Sequence, residues 1–209
     1  MARYLEAKCR LCRREGEKLF LKGTKCSSAK CPMEERPFPP GMHGQGRRAK
    51  TSNYGIQLRE KQKVKRIYGL QEKQFLRYYK DADKMTGITG VTLLQLLESR
   101  LDNVVYRMGF ASSRTEARQV VRHKQILVNG SIVNIPSYRA KAGDRIALVD
   151  AAKEHLRINA STDAAGQKGL PEWLDVDLQQ RQGVFRELPA RDQLDAGIRE
   201  QLIVELYSK

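Results

Sequence analysis

The sequence has no long apolar run. Its 209 residues are 40% hydrophobic and 30% charged, leaner in apolar and richer in charged residues than an average globular chain. No stretch approaches the ~20 apolar residues that span a bilayer. Nor is there a helix with a bulky apolar face of the kind that lies on a membrane surface. At the start, Arg3, Glu6, Lys8 and Arg10 break up any apolar core, against a secretory signal and for an intracellular protein. Histidine is scarce, with three in the chain and none among the cysteines, so a thiol–imidazole catalytic pair has no local support. Cysteine is absent after residue 31. Acid is scarce where base is dense: residues 1–80 carry 7 Asp/Glu against 21 Lys/Arg, which is 14 of the net charge of +15. A chain so charged repels itself, and a polyanion is the natural relief.

The four cysteines, Cys9, Cys12, Cys26 and Cys31, form two close pairs joined by a longer loop. In a reducing compartment, clustered thiols argue for a metal rather than disulfides. The spacing suits a closed tetrathiolate site for structural Zn²⁺, and an iron–sulfur cluster would use the same four ligands. Lys8, Arg10, Arg13, Arg14, Lys25 and Lys30 surround the site and would offset its negative charge.

From Pro32 to Gly46 the chain holds four prolines and three glycines and reads as an extended connector. It ends in the basic run Arg47, Arg48 and Lys50. A helix capped by Ser52 or Asn53 is expected through Leu58, Val64 and Ile67 to Gly69, with Arg59, Lys61, Lys63, Lys65 and Arg66 basic nearly all round. Such a helix needs a partner surface. A second helix, near 71–84, brings Phe75, Leu76, Tyr78 and Tyr79, to pack in a core or to stack on exposed bases. Thr92 to Leu97 then forms an apolar helix running into the centre of the chain.

The central stretch, 99–149, is the most ordered pattern. Leu101, Val104, Val105 and Met108 lie at i, i+3, i+4 and i+7, one face of a helix that Gly109 would end. Ser113 and Glu116 have capping-box spacing. The helix they open sets Arg114, Arg118 and Arg122 in a stripe beside Ala117, Val120 and Val121, with His123 and Lys124 at its end. Asn129-Gly130 between β-branched runs is a type I′ hairpin signal, and a further strand follows at 145–149. Guanidiniums at helical spacing can grip a row of phosphates, and the shielded base edges of folded RNA favour recognition by shape and phosphate. Beyond it, 150–169 reads as loop or frayed helix, Trp173 as an anchor, and Leu174, Val176 and Leu178 as an alternating strand. The apolar end, Leu202 to Tyr207, is expected to pack on the helices before residue 90.

Taken together this is an α+β chain with an N-terminal four-cysteine metal knuckle and a helical domain carrying an inserted small α+β RNA-binding module. The expected boundaries are 1–45 for the arm and linker, 46–90 completed by 170–209 for the helical domain, and 91–169 for the module and its following linker.

The order RLDNVVYR, capped Arg-rich helix, LVNG resembles the small RNA-binding module shared by a ribosomal protein family and several RNA-modifying enzymes. With RPFPPGMHGQGRR, LREKQKVKRIYGL, IPSYRAKAGD and EQLIVELYSK added, nearly the whole chain resembles the fourth protein of the small ribosomal subunit, bacterial or plastid. The resemblance implies a non-enzymatic ribonucleoprotein constituent that binds small-subunit ribosomal RNA, nucleates assembly of the subunit body and influences translational accuracy. It also implies the fifth small-subunit protein and incoming mRNA as neighbours, on cytoplasmic or plastid ribosomes, with no membrane and no small-molecule substrate. The competing reading is a pseudouridine synthase carrying the same module, since Arg100-Leu101-Asp102 resembles that family's nucleophile motif. No other segment is long enough for the enzyme's sheet domain, so Asp102 reads as a structural charge partner to an arginine.

Overall fold

The computed structural model describes residues 4–46 and 50–208. The arm contains α1 (Cys9–Glu15), a 3-10 turn at Gly23–Cys26 and α2 (Pro32–Glu35); α3 (Asn53–Ile67), α4 (Glu72–Asp83) and α5 (Thr89–Glu98) follow. Next come α6 (Leu101–Arg107), α7 (Arg114–Arg122), β1 (Ile126–Val128), β2 (Ser131–Ile132) and β3 (Arg145–Leu148). The chain closes with α8 (Asp150–Lys153), α9 (Leu156–Lys168), β4 (Leu174–Asp177), β5 (Gln182–Phe185) and α10 (Glu200–Tyr207). It divides into two compact units: residues up to Leu93 with the segment from Ala196 onward, and Leu94–Asp195.

In the first unit Ser52 caps α3 by accepting the Gly55 N–H at 3.2 Å. On α4, Phe75, Tyr78, Tyr79 and Ala82 recur at i, i+3, i+4 and i+7 and are buried, so packing takes the tyrosines and leaves no base-stacking platform there. Tyr207 of α10 brings its ring to 4.7 Å from Tyr79 and 6.3 Å from Phe75. The polar ties follow the same route. Gln57 donates to Glu205 at 2.9 Å, Lys63 to the Gly197 carbonyl at 2.6 Å, and the Arg199 N–H to Glu60 at 2.9 Å. The arm belongs to the same unit, with Arg13 donating to the Phe38 carbonyl at 2.9 Å and lying 5.0 Å above that ring.

The second unit is built on one antiparallel sheet in the order β2-β1-β3-β5-β4. Asn129 and Gly130 both take positive φ, 50° and 81°, as the type I′ turn requires. One face of the sheet (Ile126, Val128, Ile146, Leu148, Leu174 and Phe185) packs with Leu101, Val104, Val105 and Met108 of α6 and Val121 of α7. Trp173 meets Phe185 edge-on at 5.5 Å in the same core.

This corrects one boundary. Residues 170–195 do not complete the helical domain; they supply β4 and β5 and extend the sheet through the β3–β5 pairing Arg145↔Val184 to Ala147↔Gln182. The alternation at Leu174 and Val176 needs a sheet to join, and β3 offers an edge whose buried side accepts Phe185. Of the loop and helix alternatives for 150–169, the structure takes helix: α8 and the 13-residue α9 fill most of it. Gly109 explains how α9 fits, because a Cβ there would stand 2.3 Å from the Ala165 Cβ. That glycine also carries φ +83° at the end of α6, so no other residue satisfies both demands.

Candidate nucleic-acid interface

Ser113 opens α7, its Oγ accepting the Glu116 N–H at 3.4 Å. The return bond of the expected box shifts by one residue: Glu116 accepts from the Ser112 N–H at 2.9 Å and the Ser112 Oγ at 2.5 Å. With Ala117, Val120 and Val121 buried, the arginine stripe is held along the border of the core.

The structure separates the stripe into pinned and exposed charges. Arg118 reaches Asp102 at 3.2 Å. The same carboxylate takes a fork from the fully buried Arg100, Nε to Oδ1 at 3.0 Å and a terminal nitrogen to Oδ2 at 2.6 Å. Arg114 donates Nε to the Asn103 Oδ1 at 2.7 Å, stands 3.8 Å from Glu98, and lies 4.7 Å above the Tyr106 ring. Glu98, also fully buried, accepts a two-point fork from Arg107 at 3.0 and 2.8 Å and an amide N–H of Asn103 at 2.6 Å. Arg122, His123 and Lys124 are exposed at the end of α7, where Lys124 turns the chain with φ +59°.

This network answers the question of Asp102, whose oxygens are occupied by two arginines. Four of its members were invisible as a set in the sequence: Glu98, Asn103, Tyr106 and Arg107. Glu98 and Asp102 stand four apart in the sequence, at the end of α5 and the start of α6, and two acids so close before an arginine-rich helix are the signal that would have found the pinning pair.

In the first unit the basic run of α3 is largely matched by the chain's own acids. Glu15, at the end of α1, meets Arg59 at 3.4 Å and also pairs with Arg66. Glu72 accepts from Lys61 at 2.6 Å and Lys65 at 2.9 Å. Lys63 sits between Glu60 at 2.9 Å and Glu17 at 3.2 Å. Burial alone would raise the Glu72 carboxyl, but hydrogen bonds from Lys61, Lys65 and Tyr207 overcome it and hold the group at about 2. Glu15 goes the other way, since its burial outweighs Arg66 and Arg59 and pushes its carboxyl up. Lys50 is exposed, whereas Arg47 and Arg48 lie outside the described residues.

Of the four thiols, Cys12, Cys26 and Cys31 are buried and Cys9 is half-buried. Burial raises the Cys12 thiol, and the other three cysteines add to the effect through their charge. The Lys22 N–H donates to the Cys26 Sγ at 3.3 Å. The donor set suits a thiophilic cation, yet among the described residues no group of three or more His, Cys, Asp or Glu stands close enough to hold one. No helix among them is long and apolar enough to cross a membrane.

Two family patterns cover most of the chain: residues 3–98 match the Ribosomal protein S4/S9 N-terminal domain and residues 99–146 the S4 domain. The chain is 60% identical to the small ribosomal subunit protein uS4 of Magnetococcus marinus over 209 residues, all of both chains. It is 58% identical to uS4 of Geobacter metallireducens and 57% to uS4A of Nitrosomonas europaea, again over the whole of each. Identity of this order from end to end, through both the arm and the arginine-bearing module, makes the chain a member of the small ribosomal subunit protein uS4 family.

Proposed function

We propose that the chain is a structural constituent of the small ribosomal subunit in the cytoplasm, and that it grips small-subunit ribosomal RNA through the α6–α7–hairpin module. The observation that carries this reading is the arginine stripe of α7, two of whose guanidiniums are fixed by buried acids while Arg122 and its neighbours stand exposed. A rigid guanidinium loses little rotamer freedom when it meets phosphate. Exposed cations at the helix end supply the counterion-releasing contacts that dominate nucleic-acid affinity. Lys50, Arg47 and Arg48 extend the same role, and the ion-paired Arg59, Lys61, Lys63, Lys65 and Arg66 contribute what charge their carboxylate partners leave unmatched.

Nucleation of subunit assembly, a part in translational accuracy, and contact with the fifth small-subunit protein and incoming mRNA belong to the same proposal; family membership supports them. A structural metal held by Cys9, Cys12, Cys26 and Cys31 is a separate proposal. The burial of three thiols and the backbone N–H aimed at the Cys26 sulfur support it; zinc and an iron–sulfur cluster are distinguished by elemental analysis.

The test is a titration of the full chain against in-vitro transcribed small-subunit ribosomal RNA and against an unrelated duplex of equal length, over a salt series. The expected result is tighter binding to the ribosomal transcript, with a log–log salt slope of several units. Equal affinity for both RNAs would overturn the reading.

A further inference from the structure

We infer that Tyr106 is a positioning residue for RNA recognition, fixing the guanidinium of Arg114 in the orientation that meets phosphate; the inference rests on the RNA-binding reading of α7. Asn103, Tyr106 and Arg107 stand at i, i+3 and i+4 on α6, so their side chains leave one face of the helix. On that face they form a cradle. Asn103 is itself fixed, its amide donating to the Glu98 carboxylate at 2.6 Å and the Glu98 carbonyl at 3.0 Å, which leaves its Oδ1 pointed at the Arg114 Nε at 2.7 Å. The Tyr106 ring turns its face to the guanidinium, with the Arg114 Cζ 4.7 Å from the ring centroid. The Asn103 bond fixes one edge of the guanidinium and the Glu98 carboxylate, 3.8 Å from a terminal nitrogen, attracts the other; the ring face against the group restricts the swing that remains. The Arg114 side chain keeps 14% of its exposure, so its remaining surface is presented in one orientation.

Tyr106 packs partly against the core, and a purely structural aromatic would account for that much. What a structural role does not account for is a cation stacked on the ring while the same cation's Nε is held by a buried amide. A base-stacking role for Tyr106 is disfavoured on this side, since Arg114 already covers the face. The attraction of a guanidinium for an aromatic face, together with the rotamer freedom it removes before binding, predicts a loss of about two- to tenfold in affinity when the ring is taken away.

The experiment compares Tyr106→Leu, Tyr106→Phe, Arg114→Ala and the Tyr106→Leu/Arg114→Ala pair in the full chain. Each is titrated with transcribed small-subunit ribosomal RNA and with unrelated duplex RNA, and thermal melts run in parallel. Tyr106→Leu keeps apolar bulk for the core but has no π face. It should melt with the parent, bind the ribosomal transcript about two- to tenfold more weakly, and bind the unrelated duplex nearly as before. Tyr106→Phe, which keeps the ring, should restore parental affinity. In the double variant the Tyr106→Leu loss should vanish, because there is no guanidinium left to place. Should Arg114→Ala weaken binding while folded Tyr106→Leu binds as the parent, or should the two losses add in full, the positioning role is overturned and the RNA reading stands. Should Arg114→Ala itself bind as the parent, the phosphate role of Arg114 fails, and with it this inference.

Discussion

Arg100 and Asp102 form a buried fork, with the guanidinium fully excluded from solvent and its two bonds to the carboxylate at 3.0 and 2.6 Å. Removing one partner of such a pair takes the counter-charge from a buried ion, at a cost of about 3–5 kcal/mol. Asp102→Asn keeps the shape and deletes the charge, so it should lower the melting temperature of the second unit by about 10 °C or more. Calorimetry checks this. A shift within error of zero would show that Arg100 finds another acceptor and that the network is not what holds α6 to its neighbours.

The C-terminal helix is tied at its end to Glu72, which also holds Lys61 and Lys65; the Tyr207 hydroxyl donates to it at 2.9 Å. In the folded chain its carboxyl lies at about 2, below its ordinary 4.5. The sign follows: a depressed acid contributes stability that is fully present above about 4.5 and lost as pH falls through about 2. The carboxylate keeps 45% of its side-chain exposure, so after solvent screening the contribution is about 1 kcal/mol. Glu15 has the opposite sign, because its raised carboxyl favours the fold at low pH. Melts of Glu72→Gln between pH 5 and pH 2 should therefore show a shallower acid decline than the parent. Parallel declines would assign the loss to other carboxylates.

Protein purified without chelator should contain one equivalent of zinc, or iron with labile sulfide, by elemental analysis. Because metal binding to such small sites contributes folding energy, Cys26→Ser should raise proteolysis within residues 4–46 and leave the sheet unit protected. Metal-free protein with an intact arm would dispose of the tetrathiolate proposal.

How far the sequence was legible follows from the range of each signal. The Asn129-Gly130 turn, the Gly109 stop and the Ser113 cap are local, and each occurs where its chemistry placed it. The partner of β4 was not local: Leu174 and Val176 announced a strand, but only the fold supplies β5 and β3 beside it. Residues 150–169 looked polar because α9 buries Ile158 with the small Ser161 and Thr162, and sets a half-buried Ala165 against Gly109, rather than burying a broad apolar stripe. Charge was the least legible. Arg59, Lys61, Lys63, Lys65 and Arg66 look alike in the sequence as one basic run, and it takes Glu15 and Glu17 from the arm, Glu72 from α4 and Glu60 one turn away on α3 itself to pair them.

The same distinction between pinned and exposed charge runs along α7. Arg118 is pinned to Asp102 and its side chain is 11% exposed, whereas Arg122 and Lys124 are exposed where the helix ends. Each cation that neutralises a phosphate adds about one to the magnitude of the log–log salt slope. Arg122→Ala/Lys124→Ala should therefore flatten the slope for small-subunit ribosomal RNA by about two and leave the melting temperature unchanged, because no core contact is lost. Arg118→Ala should behave differently: it removes one of the two arginines on Asp102, so stability falls together with affinity. The measurement is a pair of salt titrations with matched thermal melts. A double variant with the parental slope would remove the end of α7 from the RNA interface. An Arg118→Ala protein that melts with the parent would show that the Asp102 contact does not hold the stripe in place.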